Sequence, residues 1–184
     1  TYNANSKQAR CTDCDAGTFT DNQEGQTVCS VCPSGKQMSG NVGSRICNEC
    51  PDGKISTTPG GNCSECDAGK YANADKTDCL LCGVGKWSDG VGANNESTCE
   101  DCPAGTYSSA TGVRAESGCN DCPPGTYSAA TGNDDPDDCT DCERDTYNAN
   151  SKQARCTDCD AGTFTDNQEG QTVCSVCPSG KQMS

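Results

Sequence analysis

Hydrophobic side chains never gather into a face of helical period in this chain. They come singly, at the end of a short recurring string. The string reads Cys-x-x-Cys, a two-residue step, Gly, then Thr or Lys, one large side chain, and usually Ser, Thr or Ala. Its clearest copies are Cys102-Pro103-Ala104-Gly105-Thr106-Tyr107-Ser108 and Cys122-Pro123-Pro124-Gly125-Thr126-Tyr127-Ser128. Every aromatic of the chain occupies the large slot: Tyr2, Phe19, Tyr71, Trp87, Tyr107, Tyr127, Tyr147 and Phe164. Ile55 takes it once, and Gln37 and Gln182 take it with a methionine following. Beyond each slot lies a polar, glycine-rich stretch such as Ser109-Ala110-Thr111-Gly112 or Ser56-Thr57-Thr58-Pro59-Gly60-Gly61, which is turn-forming chemistry. The pattern predicts a short strand at Thr-Tyr-Ser, a turn, and a returning strand that runs into the next cysteine. A single such hairpin is marginal in water, so a cross-link and a neighbouring aromatic are expected to complete each one.

The string repeats at intervals of 16 to 20 residues, with C-x-x-C pairs beginning at Cys11, Cys29, Cys47, Cys63, Cys79, Cys99, Cys119, Cys139, Cys156 and Cys174. A larger repeat lies over it, because residues 1–39 recur letter for letter as 146–184. Residues 1–145 therefore read as one large period of eight C-x-x-C units and 146–184 as the start of the next. Small units begin near 1, 17, 35, 53, 69, 85, 105, 125, 145, 162 and 180. The expectation is a window of one period and a quarter from a longer repetitive protein. An array of identical surfaces suits a fibre, stalk or multivalent coat better than a single active site.

Composition tightens this reading. Cysteine supplies 20 of 184 residues and all hydrophobes together only 31%, too few for an ordinary core, so cross-links or metals must hold the chain together. The surplus of 27 acids over 13 bases, a net charge of −14, disfavours nucleic acid and anionic membranes as partners. No transmembrane run, signal peptide or lipidation motif is present in this window.

A periodic array requires every unit to bond alike. The simplest solution joins the second cysteine of one pair to the first of the next: Cys14–Cys29, Cys32–Cys47, Cys50–Cys63, Cys66–Cys79, Cys82–Cys99, Cys102–Cys119, Cys122–Cys139, Cys142–Cys156 and Cys159–Cys174. Cys11 and Cys177 are then left for units beyond the window. The register joining each first cysteine to the second of the next unit stays open. Each bridge closes a loop of roughly 15 residues, worth about 3 kcal/mol in the chain-entropy picture. Four-cysteine zinc sites would pair units two by two, and the units show no odd–even alternation. Thioredoxin-like chemistry needs one C-x-x-C at a helix start, which turn-rich copies do not offer. Disulfides, and with them an oxidising extracellular or cell-surface location, are the expectation.

At Cys-Pro-Ala-Gly-Thr-Tyr-Ser the sequence resembles the ephrin-receptor-like cysteine-rich repeat, a relative of tumour necrosis factor receptor-type modules. It is also similar to long cysteine-rich surface proteins of protists. The resemblance runs from Cys11 to Cys177 and implies a small disulfide-rich β fold. The form it implies is an elongated, solenoid-like rod of stacked short β-hairpin units with little or no helix. The chain lacks the extra, interlocked cysteines of tumour necrosis factor receptor-type modules, so no ligand-binding residue carries over.

Several positions remain as candidate sites. Asn62-Cys63-Ser64 and Asn95-Glu96-Ser97 fit the N-glycosylation sequon, against the plainer reading of polar turns. The Ser/Thr clusters at Thr106–Thr111 and Thr126–Thr131 are candidates for O-linked sugar on the same terms. Asp134, Asp135, Asp137 and Asp138 gather oxygen ligands of the kind calcium takes, without the spacing of an EF-hand; a solvated acidic turn is the simpler account. Leu80-Leu81, with Trp87 close in sequence, is an apolar oddity inside a C-x-x-C pair and a candidate contact patch. With no histidine, a serine or cysteine nucleophile lacks its usual base, and no enzyme and no cofactor are expected. The leading expectation is a structural extracellular protein that assembles with copies of itself, its aromatic slots buried and its acidic exterior carrying glycans. A receptor or adhesin ectodomain is the alternative.

Overall fold

The computed structural model describes residues 12–20, 25–38 and 46–179. The slots at Tyr2 and Gln182, Cys11, and the unit starts near 1 and 180 lie outside these residues. The described chain is a succession of nine two-stranded antiparallel hairpins in two compact units.

The first unit comprises Thr1–Leu81 with Gly90–Thr98. Its hairpins pair β1 (Thr18–Phe19) with β2 (Ser30–Val31), β3 (Lys36–Met38) with β4 (Cys47–Glu49), β5 (Lys54–Ile55) with β6 (Ser64–Glu65), and β7 (Lys70–Ala72) with β8 (Cys79–Leu81). A 3-10 turn, η1, spans Glu96–Thr98. The second unit comprises Cys82–Asp89 with Cys99–Ser184. It pairs β9 (Lys86–Trp87) with β10 (Glu100–Asp101), β11 (Thr106–Tyr107) with β12 (Asn120–Asp121), and β13 (Thr126–Tyr127) with β14 (Thr140–Asp141). β15 (Thr146–Tyr147) then pairs with β16 (Thr157–Asp158), and β17 (Thr163–Phe164) with β18 (Ser175–Val176). Two more 3-10 turns, η2 (Glu116–Gly118) and η3 (Pro136–Asp138), lie in its loops.

The recurring string dictates each hairpin. Between Pro103 and Thr106 the chain turns, with the Thr106 N–H donating to the Pro103 carbonyl at 3.1 Å and Gly105 at φ +79°. That third position of the turn needs a left-handed backbone, which glycine adopts without strain. Asp145 fills the same place at φ +61°, the one turn of the series among the described residues closed without glycine. The hairpin then shuts when the Cys122 N–H donates to the Gly105 carbonyl at 2.9 Å.

The core differs from the expectation that the aromatic slots are buried. Tyr107, Tyr127 and Tyr147 are half-buried, and among the described slot residues only Ile55 is buried, at 6% exposure. Side chains alternate across a strand, so Thr106 and Ser108 point opposite to Tyr107. It is their face that is sealed, at 0% and 1% exposure, beside Cys102 and Cys122 at 0%. Cystine sulfur and small hydroxyl side chains fill the centre because the neighbouring hairpin's backbone approaches there too closely for a ring.

Candidate functional site

Nine disulfides run in tandem: Cys14–Cys29, Cys32–Cys47, Cys50–Cys63, Cys66–Cys79, Cys82–Cys99, Cys102–Cys119, Cys122–Cys139, Cys142–Cys156 and Cys159–Cys174. Each spans 13 to 17 residues and ties the start of one hairpin to the foot of its returning strand. Cys177 donates its backbone N–H to the Gly162 carbonyl at 3.1 Å.

Hairpins dock on one another through backbone hydrogen bonds in a repeated register. In the second unit the Gly105 N–H donates to Ser128 O (2.8 Å), the Ser108 N–H to Asn133 O (3.0 Å), and the Gly132 N–H returns to Cys102 O (2.8 Å). The same triad joins the hairpins before and after. Gly85 to Ser108, Ser88 to Val113 and Gly112 to Cys82 make the preceding step; Gly125 to Asn148, Ser128 to Gln153 and Lys152 to Cys122 make the following one. At about 1 kcal/mol net for each bond, a step contributes roughly 3 kcal/mol, comparable to one disulfide. The first unit uses the same positions, with Gly60 N donating to Cys32 O and Gly92 N to Cys66 O, both at 2.7 Å. At the β5–β6 to β7–β8 step, the Lys76 ammonium replaces the loop N–H and reaches Cys50 O at 2.6 Å.

The contacts extend one hairpin further. A Cβ on Gly105 would stand 2.7 Å from the carbonyl carbon of Lys152, and one on Gly53 would overlap the carbonyl of Gly92. The loops that carry Gly92 and Lys152 therefore each pack against the two hairpins that precede them. Sequence reasoning took these loops for plain turns. The signal it passed over is the glycine recurring in the loop, at Gly60, Gly92, Gly112, Gly132 and Gly170.

Asparagine locks two of these steps. Asn133 is 7% exposed, and its Nδ2 donates to Thr106 O (3.0 Å), Ser128 Oγ (3.0 Å) and Ala130 O (3.1 Å). Asn148, 3% exposed, donates to Thr126 O at 2.9 Å. Where Gln37 takes the aromatic slot, its Oε1 accepts the Cys63 N–H at 3.1 Å, so this residue bonds across to the next hairpin.

The remaining candidates separate into distinct environments. In the acidic run, Asp135 accepts the Asp137 N–H at 2.9 Å, and Asp138 Oδ2 accepts the N–H groups of Asp134 and Asp135 at 3.0 and 3.1 Å. This is a capping box on η3, so two of the four carboxylates serve the backbone; Asp134 and Asp137 are exposed. Among the described residues no group of three or more Cys, Asp or Glu stands where it could hold a metal ion. The Ser/Thr clusters divide. Thr106, Ser108, Thr126 and Ser128 are buried, with the two threonine hydroxyls donating to Pro103 O and Pro123 O, which corrects the reading of these four as sugar acceptors. Ser109 and Thr111 are exposed. Asn62 and Asn95 are both exposed.

Leu80 and Leu81 are 42% and 49% exposed on β8, where Leu80 faces Tyr71 and Leu81 faces Lys70. Trp87, on β9 of the second unit, is half-buried, and its buried Nε1 has no hydrogen-bond partner. Among the described residues no helix is long and apolar enough to cross a membrane.

Tandem cystines, the Cys-x-x-Cys to Gly-Thr-Tyr string and the common docking triad define one repeat. The family described as tyrosine-protein kinase ephrin type A/B receptor-like matches residues 1–40, 125–167 and 148–183, together more than half of the chain. The chain belongs to this family. Ephrin-receptor-like matches fall on both copies of the 39-residue echo and on β13 to β17. The hairpins at 54–121 lie outside the matched segments and close with the same turns and bridges, so the ephrin-receptor-like design extends through them. No curated protein matches the chain at a significant level.

Proposed function

We propose that this ephrin-receptor-like chain is a structural extracellular repeat protein, the shaft of a fibre, surface appendage or cell coat. The observation that carries the reading is the docking triad, repeated in the same register from β9 to β16. One hairpin's loop caps the hairpin before it with main-chain groups, so any number of units can be added by the same contact. The echo of residues 1–39 at 146–184 extends that logic to a second scale. Nine disulfides support an oxidising, extracellular setting. Copies of the chain are the proposed partners, through contacts that do not close on themselves. Nucleic acid and direct membrane insertion are outside the proposal, in keeping with a net charge of −14. So are catalysis and cofactors, since the chain has no histidine to serve as a base. Negative-stain microscopy of native material is the test. Thin fibres are expected, and compact monodisperse particles would remove the reading.

Leu80 and Leu81 favour a second reading, a receptor or adhesin ectodomain. Every other C-x-x-C pair carries at least one polar residue between its cysteines; this one carries two exposed leucines. Replacing both with serine should abolish partner capture in that case, and unchanged capture and assembly would dismiss the patch.

A further inference from the structure

We infer that Asn95 carries an N-linked glycan and that Asn62 does not. The inference uses only the extracellular part of the proposed function and is independent of fibre formation. Both asparagines head a sequon and both are exposed, so sequence and exposure alone do not separate them. Their surroundings do. Asn95 opens η1, and its Oδ1 accepts both the Ser97 N–H at 3.0 Å and the Ser97 hydroxyl at 2.5 Å. The hydroxyl that defines the sequon is thus held against the amide that would be modified. Glu96 and Ser97 beside it are exposed as well.

The same loop is built twice more, and this shows what a modified Asn95 leaves intact. Asp135 caps η3 with its side chain, whereas Ala115 stands at the head of η2 with no side-chain cap, and that turn still forms. The fold therefore does not depend on the side chain at this position. Docking is carried by Gly92 N–H and Ala93 O, upstream of the sequon. The Nδ2 of Asn95 donates to Asn94 Oδ1 at 2.9 Å, which engages one of its two hydrogens, and the residue is exposed.

Asn62 sits at a seam. The next residue, Cys63, is bridged to Cys50 and gives its N–H to Gln37 of the preceding hairpin, and Ser64 lies in β6 opposite Ile55. Both residues that complete this sequon are thus engaged, Cys63 in the bridge and the seam and Ser64 in the strand.

The modifying step needs an oligosaccharide donor activated as a lipid-linked diphosphate. Nδ2 of Asn95 bonds to the sugar C1, the C1–O bond to the diphosphate breaks, the lipid diphosphate leaves, and Nδ2 gives up one proton.

Peptide mapping of protein secreted by its own cells, with enzymatic glycan release in ¹⁸O-water, tests the assignment. The expected result is Asn-to-Asp conversion with label at Asn95 and none at Asn62. A Ser97→Ala variant should lose the glycan mass while keeping its disulfides, and Ser97→Thr should retain it. An unmodified Asn95, or a labelled Asn62, would overturn the inference. Reduced cysteines in the native protein would instead sink the extracellular reading, so the two failures are distinct.

Discussion

The ammonium of Lys76 donates to the main-chain carbonyl of Cys50 at 2.6 Å, across the seam between two hairpins. At the other described seams a loop N–H makes this bond: Gly60, Gly92, Gly112, Gly132, Lys152 or Gly170. The Cys66–Cys79 loop is among the shortest, with a separation of 13 residues against 17 in the Cys102–Cys119 loop. The Cys50–Cys63 loop is equally short and still makes the bond with the Gly60 N–H, so length alone does not call for the lysine. At this seam a side chain does what main chain does at the other described seams. Asp52 lies 3.2 Å from the same Nζ and is 79% exposed, so the ion pair itself adds little.

Lys76→Met keeps the aliphatic stem and removes the donor. It should cost about 1.5–3 kcal/mol, the range for a hydrogen bond from a charged group. Urea unfolding of the oxidised protein measures this, and Asp52→Asn should cost under about 1 kcal/mol in the same assay.

Gly53 and Gly162 both sit at left-handed turn positions, at φ +71° and +86°. A Cβ at Gly53 would overlap the Gly92 carbonyl, whereas one at Gly162 meets nothing within 4 Å among the described residues. Gly162→Ala should cost about 1–2 kcal/mol from backbone strain alone. Gly53→Ala should cost clearly more, because main chain has to move. Thermal denaturation of the two variants side by side checks the order.

Asn133 aims its Nδ2 at three acceptors in a buried place. Asn133→Ala should cost about 1–3 kcal/mol by leaving carbonyls unpaired. Asn133→Asp should cost more, since a carboxylate set against Thr106 O and Ala130 O has nothing to donate at neutral pH. Hydrogen exchange of the Ser108 amide, whose N–H donates to Asn133 O at 3.0 Å, gives a local readout.

Asp135→Ala removes the cap of η3 and should cost about 1 kcal/mol. Added calcium should leave the melting temperature of the unaltered protein unchanged, because Asp135 and Asp138 are already committed to backbone N–H groups. A calcium-dependent rise would restore the acidic run as a cation site.

Removing one bridge, as in Cys66→Ala with Cys79→Ala, should cost about 3 kcal/mol from loop-closure entropy. Exchange protection should fall at β7, β8 and the adjoining seams, with distant hairpins keeping theirs.

Much of the local fold was legible along the chain. Gly105 or Gly125 three residues after a cysteine marks a turn that only a left-handed residue closes well, and the spacing of Cys102, Cys119 and Cys122 bounds a hairpin between them. These features depend on near neighbours in sequence, so the letters alone carry them. The choice between two cystine registers stayed open there, because either would satisfy the period; the structure joins Cys102 to Cys119.

The packing was not legible. Tyr107 looked like the core residue by size, but Thr106 and Ser108 are the sealed ones, since the next hairpin's main chain fits only against small side chains. The partners Gly132 and Cys102 are 30 positions apart, and Gly92 and Cys66 are 26 apart. No local pattern assigns such pairs. By itself the sequence determined a tandem array of cystine-closed hairpins, because turn chemistry and cysteine spacing act over a few residues. Only the tertiary structure decided how the hairpins dock, because that rests on main-chain groups every residue possesses and on which of them are brought within hydrogen-bonding reach.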